Sequence, residues 1–457
     1  MLGFVFLVNA ELGAQSFSTL YSFPGGNESG SPNSGLVQQG DTLYGMTSAS
    51  PLFVPAALYA IGVDGANYTN LLSIPTLTPD FRRSWLTVSG NTIYGTTASG
   101  GVWQRGTVFA VNTDGTGFTN LHTFVRDDGA NPDSGVILDG ETLYGSCYFQ
   151  GPSGSGTLFK INVDGSGFTN LYFFTNAVDG QSPSGKLVLV GQTLYGTTQG
   201  GGNGSGTIFA ISTNGENFTN LYTFSPIALS QTNLDGARPN AGLLLSSNFF
   251  YGTTLAGGRF ASGTVFKVSI DGSGFTNLHS FTTVRSRTNS DGASPYGGLV
   301  LVGNTLYGTT YAGGVSSNGT VFAIETDGTG FTNLYNFSGF SVTPPHTNTD
   351  GAHPQAALLF SGNTLYGTTT FGGNASSGTI FSLSLGPAAP RLKVTSSDTN
   401  MILTWPTNAS GFTLQSITNL DGSDSWLPVS PDPVVNNGQY TVTNAISGQQ
   451  RFYRLKQ

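Results

Sequence analysis

A tyrosine-glycine pair returns along the chain at Tyr44, Tyr94, Tyr144, Tyr195, Tyr251, Tyr307 and Tyr366, at spacings of 50, 50, 51, 56, 56 and 59 residues. Around each pair lie four short runs in a fixed order, here A to D. In one copy they are GLVLVG (298–303), TLYGTT (305–310), GTVFAI (319–324) and FTNLYNF (331–337). Each run has the length and β-branched or aromatic content of a strand and is flanked by turn residues. The A–B connections, such as Gly303-Asn304 and Gly140-Glu141, are short enough only for a hairpin. Asp114-Gly115, Asp164-Gly165, Asn214-Gly215, Asp271-Gly272 and Asp327-Gly328 lie between C and D and supply the positive φ that tight hairpins demand. A four-stranded meander cannot bury both faces alone, so the copies must stack. A period of about 40 to 50 residues with four strands per copy predicts a β-propeller.

The ends of the array predict how it closes. The chain begins with a lone D-type run, Phe17–Phe23, while the seventh copy has A (357–361), B (364–369) and C (378–383) but no D. An N-terminal strand that completes the last blade removes the open sheet edges. The expected fold is therefore all-β: a seven-bladed propeller over 16–386, closed by its N-terminal strand. Composition agrees, since charged residues are only 9% of the chain and Gly is 66 of 457, against about 25% and about 7% in ordinary globular chains. No stretch sustains the periodicity of an amphipathic helix.

The net charge of −8 and the lack of a basic stripe exclude the phosphate-neutralising surface that a nucleic-acid partner requires. The single cysteine, Cys147, permits no internal disulfide and reads as a small buried residue. Residues 1–15 open with the apolar run MLGFVFLV followed by small residues and read as a signal peptide, although no Lys or Arg precedes the run. No segment approaches the roughly 18 apolar residues of a transmembrane helix. The expected location is secreted or at the cell surface.

The recurring LYGTT…GG…GTVF…DGTGFTNLYNF pattern resembles the GloVer (Gloeo_Verruco) tandem repeat of bacterial surface and secreted proteins, over about residues 17–385. The resemblance implies export and offers no catalytic residues to carry over. The first copy departs from the pattern at Met46 and in the Pro-containing 50–56 segment, and the second lacks the Asp-Gly before A. Residues 387–390 read as a linker, and 391–457 hold short alternating runs (MILTWPT, GFTLQS, QYTVTN, QRFYRLK) that suggest a small β-sandwich-like domain. Between Trp405 and Leu455 this segment resembles fibronectin-III-like or Ig-like tails of secreted bacterial proteins. Trp405 and Trp426 are expected in its core.

In a repeat protein the recurring residues build the scaffold, so candidates for function are residues present once on the more variable loops. The D–A loops lengthen from ten residues (125–134) to 17 (225–241) and 19 (338–356). All eight arginines of the array, Arg82, Arg83, Arg105, Arg126, Arg238, Arg259, Arg285 and Arg287, fall in B–C or D–A loops, with His346 and His353. The A–B and C–D turns gather acidic residues instead, among them Asp114, Asp139, Glu141, Asp164, Asp271 and Asp327. Arginine can hold carboxylate or sulfate in paired hydrogen bonds, and the loop aromatics Trp103, Tyr148, Phe149, Phe260, Tyr311 and Phe371 could stack on sugar rings.

A second constellation is the Asp-Gly-x-x-Pro motif before A, with Asp128, Asp179, Asp235, Asp291 and Asp350. These carboxylates either cap their own turns or gather as oxygen ligands for Ca²⁺. No other cofactor is suggested, and no nucleophile elbow, phosphate loop or paired-His zinc motif is present. The expected function is a binding or adhesion module that recognises an extracellular glycan or protein through the loop-rich face. The alternatives are a polysaccharide lyase or hydrolase acting at the channel mouth, and a purely structural surface repeat.

Overall fold

The computed structural model describes residues 5–7, 15–25, 29–48, 55–74, 85–228, 230–341, 347–386, 392–397, 399–407, 412–418, 425–436, 438–445 and 451–456. Among these every helix or strand element is a strand, and no helix is long and apolar enough to cross a membrane. The chain divides into two compact units. One comprises Phe17–Ser361 and Leu365–Ser382, the other Met1–Ser16, Gly362–Thr364 and Leu383–Gln457.

The larger unit is built from repeated antiparallel meanders. In the sixth copy Val300–Val302, Thr305–Thr310, Thr320–Glu325 and Thr332–Asn336 pair in the order A-B-C-D, and the described residues form seven such sheets. In the seventh, Leu359–Ser361, Thr364–Thr369 and Thr379–Ser384 are joined by Ser16–Ser22 beside the C strand. The B–C register is the same in the first six sheets, with Tyr94 opposite Ala110, Tyr195 opposite Ala210 and Tyr307 opposite Ala323. A bulge interrupts the C–D pairing of the first six sheets at one place, as between Val108 and Phe109 or Val321 and Phe322, and adds local twist.

The tyrosine-glycine pair has a packing cause. The ring of the C-strand Phe crosses directly over the glycine, so a Cβ on Gly95 would lie 2.5 Å from Phe109 Cζ, and one on Gly308 would lie 2.5 Å from Phe322 Cζ. No other residue fits there. At the opposite end of the sheets the C–D turns close through Asp side chains: the Thr116 amide donates to Asp114 Oδ1 at 2.9 Å and the Thr329 amide to Asp327 Oδ1 at 2.9 Å. Side-chain and backbone hydrogen bonds from Thr116 hold the Asp114 carboxyl below its ordinary pKa, and Thr329 does the same for Asp327.

Apolar residues of each sheet meet those of the next. Tyr144, Leu158 and Phe174 of the third pack with Leu187, Leu194 and Phe209 of the fourth, and Tyr251, Val265 and Phe281 of the fifth with Leu299, Leu306 and Phe322 of the sixth. Phe23, Tyr366 and Ile380 of the seventh pack with Leu36, Leu43 and Tyr59 of the first. Cys147 is fully buried in one of these clusters, and burial pushes its thiol pKa well up.

Two further contacts repeat from sheet to sheet. A D-strand ring stacks on the first ring of the next D strand: Tyr172 on Phe218 at 4.1 Å and Tyr222 on Phe275 at 4.2 Å. Phe17 takes this place against Tyr335 at 3.8 Å, and Tyr21 against Tyr68 at 4.0 Å. The residue before each repeated proline also donates its amide to the preceding sheet: Asn131 to Arg105 O (2.9 Å), Arg238 to Ser205 O (2.8 Å), His353 to Asn318 O (2.9 Å) and Ser31 to Ser377 O (2.6 Å).

The smaller unit holds two four-stranded sheets. One contains Lys393–Ser397, Asn400–Pro406, Gln439–Ala445 and Val434–Asn436; the other contains Thr413–Ile417, Leu427–Pro428, Arg451–Lys456 and Val5–Leu7. Val5–Leu7 runs parallel to Arg451–Tyr453. Both sheets feed one core of Leu403, Trp405, Leu414, Val442, Tyr453 and Leu455. Trp405 is 1% exposed, whereas Trp426 lies outside that core, half-buried, with the Arg454 guanidinium 4.3 Å above its ring. The rest of the 1–15 segment and the 387–390 linker lie outside the described residues, Gln15 excepted.

Candidate functional site at the loop ends of the A and B strands

The A strands converge. Lys186 of the fourth A strand reaches Leu86 and Thr87 of the second, Thr87 Oγ1 donates to Val136 O of the third at 2.5 Å, and a Cβ on Gly297 would lie 2.4 Å from Ala356 O. Residues at the loop ends of the A and B strands are thereby drawn together, while B–C loop tips rest near the D-strand edge, as Gly101 does against Thr123 and Gly202 against Thr223.

The repeated prolines shape the loop ends. A residue before proline normally takes an extended conformation, yet φ is +53° at Ser31, +57° at Asn131, +56° at Ser182, +59° at Arg238, +53° at Ser294 and +58° at His353. Such non-glycine geometry costs about 1–3 kcal/mol and needs support from its surroundings. The inter-sheet amide bond at each of these residues provides it. The residue after each proline is thereby aimed consistently.

Two groups of side chains are assembled there. Tyr148 Oη donates to Gln199 Oε1 at 2.6 Å, and Gln199 Nε2 donates to Asn240 Oδ1, linking the third, fourth and fifth sheets. In the sixth and seventh, Tyr296 and Tyr311 lie 5.1 Å apart, and His353 stacks on Tyr311 at 4.6 Å and bonds its carbonyl through Nδ1 at 2.8 Å. Phe371 meets the His353 ring edge-on at 5.9 Å. Burial lowers the His353 pKa against the opposing Tyr311 hydrogen bond, and burial together with Tyr296 raises that of Tyr311. Burial thus favours the neutral imidazole of His353 and the neutral phenol of Tyr311, beside aromatic faces and carboxamides.

Of the residues singled out from the sequence, His353, Tyr148, Tyr311 and Phe371 join these groups, and Arg238 lies two residues before Asn240. Arg105 is half-buried beside Asn131. The remaining described arginines do not converge on them. Arg126, Arg259, Arg285 and Arg287 are exposed, Arg259 lies 5.8 Å from the Phe260 ring in its own loop, and Arg285 pairs with Thr288 in a local turn. Trp103 is 62% exposed at the tip of a B–C loop. Arg82, Arg83 and His346 lie outside the described residues. Sequence reasoning passed over Gln199, Asn240 and Tyr296. Their signal was positional, since Asn240 and Tyr296 follow the repeated proline in a column that otherwise reads Asn33, Asp133, Ser184 and Gln355.

The five repeated aspartates turn back on their own chain. Each carboxylate takes hydrogen bonds from the end of the preceding D strand: Asp179 from Tyr172 Oη (3.2 Å) and the Thr175 amide (2.9 Å), Asp235 from Tyr222 Oη (2.8 Å) and the Ser225 amide (2.8 Å). Asp350 is held by Tyr335 and Ser338, Asp291 by His279 and Thr282, and Asp128 by His122 and the Val125 amide. Among the described residues no three His, Cys, Asp or Glu side chains gather in a group suited to a metal ion. At Asp291 burial alone would raise the pKa, but the hydrogen bonds from His279 and Thr282 prevail and lower it.

His122 takes the place of Tyr172, Tyr222 and Tyr335, stacked on Phe168 at 3.7 Å and bonded to Asp128 at 3.0 Å. Burial lowers its pKa, with Asp128 opposing. The folded protein thus binds this proton less readily than the unfolded chain. The ring's contribution to stability is complete above the unfolded value of about 6.5 and is lost as pH falls below it. His122→Tyr is expected to shrink the fall in melting temperature between about pH 7.5 and about pH 5. An undiminished fall would show that His122 does not carry this dependence.

A family model described as Gloeobacter/Verrucomicrobia repeat matches residues 53–231 and 225–398. No curated protein matches the chain. Among solved structures, the chain is similar to an oligogalacturonate lyase from Vibrio parahaemolyticus, at 9% identity and a TM-score of 0.49, covering 84% of this chain and 100% of that one. A manganese complex of an oligogalacturonate lyase gives 11% identity and 0.46, over 82% and 99%. TolB from Acinetobacter baumannii gives 16% and 0.39, over 66% and 65%.

Proposed function

The chain belongs to the Gloeobacter/Verrucomicrobia repeat family, and from that premise we propose that it is a seven-bladed β-propeller, closed by Ser16–Ser22, that acts outside the cytoplasm as a carbohydrate-binding module. The A strands surround its axis, and the mouth on the loop side is the binding site. The observation that carries the reading is the pairing of polar and aromatic groups there: Tyr148, Gln199 and Asn240 form a hydrogen-bonding arc, and Tyr296, Tyr311 and His353 an aromatic one. Polyhydroxyl ligands present these same two needs, alternating C–H faces for aromatic rings and hydroxyls for amides. The dispersed arginines then tune the attraction of acidic chains and are not the core of the site.

The test is to incubate the full chain with neutral, uronic and sulfated polysaccharides and to follow bound protein and released fragments in the same samples. Binding without fragments is expected. Tyr311→Ala is expected to weaken it about tenfold, through loss of a stacking face, and Gln199→Ala about fivefold, as for one or two hydrogen bonds. Release of fragments would replace the binding module with a polysaccharide-active enzyme. Binding that survives both substitutions would move the site to the rim loops.

A further inference from the structure

Aligned on the first core residue of each A strand (Leu36, Leu86, Val136, Leu187, Leu243, Leu299 and Leu358), the preceding residues are Gly35, Trp85, Gly135, Lys186, Gly242, Gly298 and Ala357. Five of the seven are no larger than alanine. The crowding of the A strands explains the small ones. A Cβ on Gly298 would lie 3.5 Å from Ala357 Cβ and 3.6 Å from Gly242 O, one on Gly35 2.8 Å from the Trp85 ring, and one on Gly135 2.4 Å from Trp85 Cβ. Only Trp85 and Lys186 project bulk at this level.

Both carry donors that the protein leaves incompletely used. Lys186 Nζ donates to Thr87 Oγ1 at 3.1 Å and, at the limit of bonding distance, to Leu86 O at 3.5 Å. An ammonium group has three donors, and among the described residues no carboxylate pairs with this one. Trp85 Nε1–H is buried without a hydrogen-bond partner, next in sequence to the residue whose carbonyl receives the lysine. As whole residues both are half-buried, while the indole N–H itself is shut off from bulk solvent. A cation with no counter-ion, among apolar and glycine-lined strands, is costly unless an anion completes it.

We propose that Trp85 and Lys186 form an axial binding site for a small organic carboxylate, one oxygen of which is held by the ammonium and the other by the indole N–H. Its two donors are distinct from the residues of the carbohydrate-binding mouth, and only its axial position rests on the propeller reading. Asp139, at the far end of the third A strand, does not act on the amine, and burial alone lowers the amine's pKa to about 8. The charged form holds the anion, so affinity is complete below that value and declines as pH rises through it.

The experiment is calorimetric titration of the full chain with sodium acetate and sodium D-glucuronate, with phosphate, chloride and neutral glucose as separate arms at constant ionic strength. Saturable binding of the two carboxylates is expected, about tenfold weaker for Lys186→Met and several-fold weaker for Trp85→Phe, which keeps the ring and removes the donor. In the wild-type chain, affinity should fall about tenfold per pH unit above the amine's titration. The wild-type pH profile and Trp85→Phe serve as tests even if Lys186→Met does not fold. Equal binding of phosphate or chloride, affinity that both substitutions leave unchanged, or no binding to the wild-type chain would overturn the assignment.

Discussion

Removal of Phe17–Phe23 is expected to cost the larger unit its cooperative unfolding, or at least about 5 kcal/mol of stability, far beyond the effect of trimming an ordinary terminus. Ser16–Ser22 is the fourth strand of the seventh sheet, so its loss leaves the C-strand edge of Thr379–Ser384 without its backbone partner. It also removes rings on both sides of the junction: Phe17 stacks on Tyr335 of the sixth sheet, and Tyr21 on Tyr68 of the first. Phe23 is fully buried against Tyr59 and Tyr68. Phe23→Ala, which keeps the strand's backbone bonds, is expected to cost about 3–5 kcal/mol by itself. Urea titration followed by tyrosine and tryptophan fluorescence measures both changes. A deletion that leaves the transition in place would rule out the proposed ring.

Asp350→Ala is expected to destabilise the same unit by about 3 kcal/mol, while Asp350→Asn should cost about 1 kcal/mol. Asp350 is 5% exposed, and its carboxylate accepts from Tyr335 Oη at 2.7 Å and the Ser338 amide at 2.8 Å, besides the Ser338 hydroxyl. Alanine would strand these donors in a place from which water is largely excluded. Asparagine keeps one acceptor oxygen and the shape of the turn. The decisive comparison is the difference in urea midpoint between the two variants. Equal midpoints would mean that the negative charge, and not the acceptor geometry, is what the loop requires. A wild-type midpoint that rises with added Ca²⁺, and does so no longer in the alanine variant, would restore a metal role to these aspartates.

The repeat's local chemistry explains how much could be read in advance. Strand content, the order of four strands in a copy and the hairpin turns depend on neighbours within about ten residues, and Asp-Gly, Tyr-Gly and the β-branched runs announce them directly. The loops were harder. The arginines attracted notice by occurring once and in the right loops, yet Arg126, Arg259, Arg285 and Arg287 remain apart on exposed tips. Trp426 was expected in the core of the C-terminal segment, but it lies half-buried outside that core under the Arg454 guanidinium. Gln199 and Asn240 escaped notice since neither residue type signals a site until something brings the two within bonding distance.

What the amino-acid sequence determined by itself is the all-β repeat: four-stranded antiparallel meanders, tight hairpin turns at Asp-Gly and Asn-Gly between C and D, and a tyrosine-glycine pair in every B run. Those features arise from short-range sterics and hydrogen bonding repeated copy after copy, so each repetition reinforces the same answer. Tertiary structure alone decided which unrepeated side chains meet. Lys186 lies 99 residues from Thr87, its hydrogen-bond partner, and Tyr311 lies 42 from His353. Those encounters follow from the convergence of A strands, a long-range consequence of how the sheets pack that no single copy of the repeat contains.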